Sequence, residues 1–265
     1  MKRIDLNCDM GELPEAIADG TQEALLRSIT SVNIACGGHA GDEQTMKSTI
    51  EQAMRAGVAI GAHPGYPDRA NFGRLELKMT PDKLAKSICE QILALAKIAE
   101  ECGARILHVK PHGALYNQAA KNRELAAAIA EGVAAALRRC SEALPRCRCL
   151  SEDVILVGLA GSPMLDVFRK AGFAVAAEAF ADRRYEPDGT LRSRKFENAL
   201  LRDPAYAAKQ ALSIAQRGIV AAHDGSEVPI SAQTICIHSD TPGSVQIAAA
   251  VARTLRDAAV TLAPF

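Results

Sequence analysis

The chain has 265 residues, with 31 lysines and arginines balanced by 31 aspartates and glutamates, and 48% of its residues are hydrophobic. Such a neutral, apolar composition excludes a disordered chain and a polybasic nucleic-acid-binding arm. The longest apolar runs, such as 154–160, fall well short of the roughly 18 residues of a membrane span. Barrels of about 250 residues commonly form one domain, so a single domain over 1–265 is expected.

In chain order, Met1-Lys2-Arg3 runs straight into Ile4-Asp5-Leu6-Asn7-Cys8-Asp9. The apolar stretch of a secretory signal is missing there, so a cytoplasmic location is expected. Short β-branched runs at 4–9, 31–36, 58–63, 106–111, 154–160, 174–180 and 234–239 predict strands, and helical periods fill most intervals. The clearest helix spans 80–102: Thr80 caps it, Pro81 takes the first turn, Leu84, Ile88, Ile92, Leu95 and Ile98 form one stripe, and Gly103 stops it. Gly57, Gly172 and Gly218 read as further helix stops. The polar stretch 182–202, turning at Pro187-Asp188-Gly189, reads as a projecting loop or hairpin, and 220–229 as a small hairpin. Repeated βα units predict an α/β fold, and seven parallel strands favour a distorted, closed or nearly closed (β/α) barrel over an open doubly wound sheet. The eight cysteines are read as reduced thiols, because a chain this long needs no disulfides. Cys147-Arg148-Cys149 has half the pattern of a metal or redox site without a second pair to complete it, and is read as a loop.

Ligands of parallel α/β folds sit over the carboxyl ends of the strands, and here those ends are strongly polar. Asn7, Asp9 and Glu12 belong to the first strand end, Asn33, His39 and Asp42 to the second, His63 to the third, and Lys110 and His112 to the fourth. Glu178, Asp182 and Arg183 follow the sixth, and His238 and Asp240 the seventh. A single strand histidine is commonly a satisfied core residue, but four at one end, with a lysine and several carboxylates, would be costly to bury without a function. An active site is expected there.

Asp9, His39 and His63 could ligate a divalent metal, one carboxylate and two imidazoles leaving positions for water. Metal-free acid and base catalysis is the competing reading. Lys110 could hold an oxyanion or a substrate carboxylate, or else pair with Glu178 or Asp182. Gly37-Gly38 and the helix start after Gly41-Asp42-Glu43 could receive an anion or form a tight turn. The glycine- and proline-rich loop from Gly61 to Arg74 brings Tyr66 and Arg74 to the same rim, where Arg74 or Arg183 could clamp a carboxylate or phosphate. The sequence has no Gly-Lys-Ser or Gly-Lys-Thr for a P-loop and no Gly-x-Ser-x-Gly elbow.

Six blocks in this order, Asp5-Leu6-Asn7-Cys8-Asp9-Met10-Gly11-Glu12, Asn33 to Asp42, Gly61 to Asp68, Val109-Lys110-Pro111-His112-Gly113 through Asn117, Glu178 to Tyr185, and Cys236-Ile237-His238-Ser239-Asp240-Thr241-Pro242, resemble the LamB/YcsF family over nearly the whole length. The resemblance implies a distorted seven-stranded barrel of the glycoside hydrolase and deacetylase type. It also implies the role of the A subunit in an ATP-dependent 5-oxoprolinase, which opens 5-oxo-L-proline to L-glutamate with partner subunits B and C. ATP is then a co-substrate of the complex, its phosphoryl transfer associated with the partners. The roles it suggests are Asp9 or His63 as general base, His112 or His238 as general acid, and Lys110 with Arg183 for negative charge. Asn7, Glu12, His39, Asp42, Tyr66, Arg74, Glu178, Asp182 and Asp240 would bind or orient the substrate. Two other readings compete: a stand-alone metal-dependent amide hydrolase or deacetylase, and a substrate-binding subunit without chemistry of its own.

Overall fold

In the computed structural model, residues 2–143 and 149–265 are described; Cys147 and Arg148 lie outside them. Seven strands close into a barrel: β1 (Arg3–Met10), β2 (Ser31–Ala35), β3 (Ala59–His63), β4 (Ile106–Val109), β5 (Leu150–Leu159), β6 (Ala174–Phe180) and, after a short antiparallel hairpin of β7 (Ile219–Ala221) and β8 (Glu227–Pro229), β9 (Thr234–Ile237). Each barrel strand pairs in parallel with its neighbour, and β9 returns to β1 with Asn7 opposite Cys236, which excludes the open sheet. A two-residue strand, β10 (Thr261–Leu262), lies parallel to Arg3 and Ile4.

Helices wrap this barrel because its outward residues are apolar and their own apolar stripes must be buried. They are α1 (Pro14–Ala18), α2 (Thr21–Leu26), α3 (Glu43–Ala56), α4 (Pro81–Cys102), α5 (Gly113–Ala119), α6 (Arg123–Ala143), α7 (Pro163–Lys170), α8 (Pro204–Arg217) and α9 (Ser244–Asp257). In α4 the Thr80 hydroxyl accepts from the Lys83 amide and Gly103 closes the last turn in the left-handed region. Its stripe of Leu84, Ile88, Ile92 and Leu95 is fully buried, each side chain contributing about 1.5–3 kcal/mol of transfer free energy. At the start of α3 the tight turn holds, of the two alternatives. Asp42 and Thr45 form a reciprocal capping box, and Arg69 donates to the carbonyls of Gly37 and Gly41, so this segment is a built turn.

Two loops join the 110–125 segment at the carboxyl rim. One follows β3 through a single helical turn at Arg69–Asn71. The other is the 182–202 stretch, an irregular excursion stitched by bridges between Arg183 and Leu200 and between Tyr185 and Leu191. Among the described residues, no helix is long and apolar enough to cross a membrane.

Candidate active site

A side-chain period of two points alternate strand residues into the barrel, and here the inward positions are polar. Asp5 accepts from Thr30, Ser31 and Thr234 at the amino end of the barrel. Above it, Asn7 donates to Glu178 at 2.9 Å and Thr234 at 2.6 Å, while Asn33 donates to Asn7 at 2.8 Å and Asp9 at 2.7 Å. His108 Nε2 lies 2.8 Å from Asn33 Oδ1. Gly61 leaves room for that ring, since a Cβ there would fall 2.0 Å from Nε2.

Lys110 crowns the column. Its Nζ lies 2.9 Å from both Asp9 Oδ1 and Glu178 Oε1 and donates to Cys236 Sγ at 3.1 Å. Burial opposes the charge on Lys110, but Asp9, Cys236 and Glu178 around it raise its pKa well above the ordinary value. Burial likewise opposes ionisation of Asp9, yet His63 and Lys110 hold its carboxyl well below the usual range. The buried pair is thus ionic, with each charge hydrogen-bonded, as a desolvated pair requires.

Beside it lies a cluster of three imidazoles and a carboxylate. Glu12 Oε1 is 3.0 Å from His39 Nε2, 3.1 Å from His112 Nδ1 and 3.8 Å from His63 Nε2. His63 Nε2 is in turn 3.0 Å from His112 Nδ1 and 3.3 Å from Asp9 Oδ2. The outer nitrogens are fixed by the main chain: His63 Nδ1 lies 2.7 Å from the Lys110 carbonyl and His112 Nε2 2.9 Å from that of Phe72. His39 stacks on His112 with ring centroids 3.6 Å apart, and burial pushes its pKa down to about 4. Gly73, at φ +62°, packs over this stack where a Cβ would fall 2.7 Å from His39 Cβ. The four inward donor atoms all lie within 4.8 Å of one another, an arrangement compatible with a divalent metal.

Asp9, Glu12, His63, Lys110, His112, Arg183, His238 and Asp240 line a cavity of about 840 Å³ over the barrel. On its far side Asp182 accepts from the His238 amide and holds ring Nδ1 at 2.9 Å, leaving Nε2 for a ligand. Burial opposes the charge on Asp182, but His238 and Thr241 lower its pKa. Arg183 is buried in the wall; burial and the nearby Arg194 push its pKa down to about 10, and Nε has no partner. Asp240 bridges Arg74 and Arg194 across the mouth.

Most residues expected at the site from the sequence therefore do converge. Asn7, His39 and Glu178 stand behind the cavity lining as supports. Lys110 pairs with Glu178 and Asp9, while Asp182 serves His238. Two neither line the cavity nor contact the charged cluster: Asp42 is an exposed helix cap, and Tyr66 is buried with its hydroxyl donating to Gln118 at 2.6 Å. Of the Asp9, His39 and His63 set considered for a metal, the structure keeps the two histidines together, joins Glu12 and His112 to them, and groups Asp9 instead with Cys236 and His238. It also adds residues the strand-end reading missed. His108 and Tyr116 are buried in the site, and burial with the nearby Glu178 raises the Tyr116 phenol well above its usual pKa. His108 had a signal, since it sits two positions before Lys110 on one strand and shares its face.

Fold and site together define a parallel (β/α) barrel with a deep, ionised, histidine-rich cavity at its carboxyl end. The chain belongs to the LamB/YcsF family, matched over residues 4–265. It is 47% identical over 262 residues to the 5-oxoprolinase A subunit of Chloroflexus aggregans (strain MD-66 / DSM 9485), covering 99% of this chain and 98% of that one. It is also 47% identical to the protein of that name from Methylococcus capsulatus (strain ATCC 33009 / NCIMB 11132 / Bath), covering 96% and 91% of the two chains. The crystal structure of the lactam utilization protein from Thermus thermophilus superposes with a TM-score of 0.85 at 37% identity, covering 99% of this chain and 100% of that one.

Proposed function

We propose that this chain is the A subunit of an ATP-dependent 5-oxoprolinase, acting in the cytoplasm with subunits B and C, and that its cavity opens 5-oxo-L-proline to L-glutamate. The names of the relatives supply the substrate. One observation carries the chemistry: an Asp9 oxygen, the Cys236 sulfur and a His238 nitrogen lie within 4.8 Å of one another, and Asp9 and His238 line the same cavity.

A lactam carbonyl is a poor electrophile, and phosphorylation of its oxygen at the expense of ATP relieves that fault. The partners supply this step in the proposal, in keeping with the missing P-loop here. In this cavity water bonds to the activated carbonyl carbon while Asp9 takes its proton. The carbon–nitrogen bond then breaks as His238 Nε2 gives a proton to the ring nitrogen, with Asp182 balancing the imidazolium, and the acyl phosphate so formed is hydrolysed by a second water to glutamate and inorganic phosphate. His238 suits this task better than His112, both of whose nitrogens are engaged. Lys110 stabilises the charge developing on oxygen, and Arg183 in the wall receives the substrate carboxylate.

Glutamate release by the chain with subunits B and C and ATP tests the proposal. Asp9→Asn and His238→Gln should each lower turnover by roughly 10²–10⁴-fold while circular dichroism and assembly with the partners stay unchanged. Undiminished turnover in Asp9→Asn, or no turnover by the wild-type complex, overturns it.

A further inference from the structure

The cavity is divided by charge. Its floor carries Asp9 and Glu12, with Lys110 engaged by Asp9 and by Glu178 behind it. Its wall and rim carry five cations, Arg74, Lys121, Arg183, Arg194 and Lys195, against two carboxylates, Glu76 and Asp240. That leaves an excess of three positive charges in a chain whose net charge is zero. Asp240 does little to reduce it, because a single oxygen, Oδ2, serves both Arg74 Nη2 and Arg194 Nη1. Among the described residues, the other N–H groups of these two side chains have no protein partner. Arg74 is held at the rim over the Phe72 ring, 4.9 Å from its centroid. Arg183, buried beside Arg194, donates from Nη2 to the Arg192 carbonyl and leaves Nε without a partner, while Asp182 is committed to His238 and Thr241. Crowded guanidiniums with free donors suit an anion that has several acceptor oxygens.

We propose that Arg74 and Arg194 form a subsite for a phosphoryl group, through which this chain selects the phosphorylated lactam over the free one. The subsite rests on the cavity itself; its assignment to a lactam rests on the oxoprolinase reading. A phosphorylated 5-oxoproline carries a carboxylate and a phosphoryl group of about −1.5 to −2, close to the excess around the rim. Two anionic groups need two places. Arg183 in the wall takes the carboxylate, and the pair at the mouth takes the phosphoryl group, whose oxygens accept paired N–H groups from each guanidinium. The carboxylates of the floor repel the same group and keep it outward. The cavity, at about 840 Å³, is in the range that holds drug-sized ligands and exceeds what a bare five-membered lactam fills. The phosphoryl group stays on the carbonyl oxygen through ring opening and departs only when the acyl phosphate is hydrolysed, so one subsite serves both steps. The free lactam leaves these donors unmet, which is the basis of the selection.

Calorimetric titration of the full chain with inorganic phosphate, at constant ionic strength in chloride, tests the subsite. No lactam, ATP or partner enters it, so its failure is separate from a failure of glutamate release. Saturable binding is expected, at least about tenfold tighter than that of acetate, which offers one charge and two oxygens. Arg194→Gln should raise the phosphate Kd at least about tenfold, and Arg74→Gln takes its place if that variant does not fold. Asp240→Asn should instead lower the Kd, because it frees both guanidiniums; a strap with a structural role alone predicts no gain. AMP, a phosphate ester of matched charge, should bind no more than about tenfold tighter than phosphate. In the complex with subunits B and C, phosphate should inhibit glutamate release by the wild type more than by Arg194→Gln. The proposal is overturned by the absence of saturable binding, by acetate binding as well as phosphate, by an unchanged Kd in Arg194→Gln or by no gain in Asp240→Asn. Tighter AMP binding than this would make the cavity a nucleotide site, and equal inhibition of both complexes would separate the subsite from the lactam; either result also overturns it.

Discussion

Lys110 shows how one residue ties folding to chemistry. It neutralises Asp9 and Glu178, both almost wholly buried and each 2.9 Å away, so its loss strands two carboxylates. Lys110→Met should cost about 3–5 kcal/mol in urea unfolding and abolish turnover, whereas adding Glu178→Gln should restore part of the stability and none of the activity. The sequence already singled out Lys110, Asp9, His63 and His238, because each terminates or directly follows a strand and the fold class makes strand ends functional. It could not show that Glu12 and His112 join His39 and His63. Glu12 follows β1 and His112 follows Lys110-Pro111, and their meeting depends on how the β3 loop, with Phe72 and Gly73, packs beneath them.

Among the elements, β4 was only partly legible. Periodicity located it, but Pro111 and the histidines on either side of Lys110 obscured which residues face inward. His108 does, and burial followed by the charges of Lys110 and His63 pushes its pKa down to about 3. An unfolded histidine binds a proton near pH ~6.5, so between that pH and about 3 the unfolded chain holds more protons than the native one. Stability therefore falls on acidification through this window, by about 1.4 kcal/mol per pH unit from His108 alone. Urea unfolding at pH 7 and pH 5 should show the loss, and His108→Gln should flatten the slope even if it lowers stability at neutral pH. The helix at 80–102 was legible to within a residue because its cap, stripe and stop are all local signals. α1 and α2, of five and six residues, are too short to leave such a period.

For the molecule as a whole, the seven barrel strands and the preference for a closed or nearly closed barrel were legible, but the pairing that closes it was not, because periodicity says nothing of which strands are neighbours. That pairing joins Asp5, Leu6, Asn7 and Cys8 to β9. Closure also brings three distant loops to one mouth, where Asp240 holds Arg74 and Arg194 together. Arg74 is substantially exposed, so the strap is worth at most ~1 kcal/mol to stability. Its larger effect is on charge: Asp240→Asn should leave both guanidiniums seeking anions, making KM for an anionic substrate rise more steeply with added salt than in wild type. The polar column inside the barrel has a different reach. Asn7 alone serves Glu178, Thr234, Asn33 and Lys110, so an apolar replacement at any one position strands partners at others. Sequence drift through this interior must proceed by compensated pairs, which makes the inside of the barrel, ordinarily the most interchangeable part of such a fold, its least negotiable region.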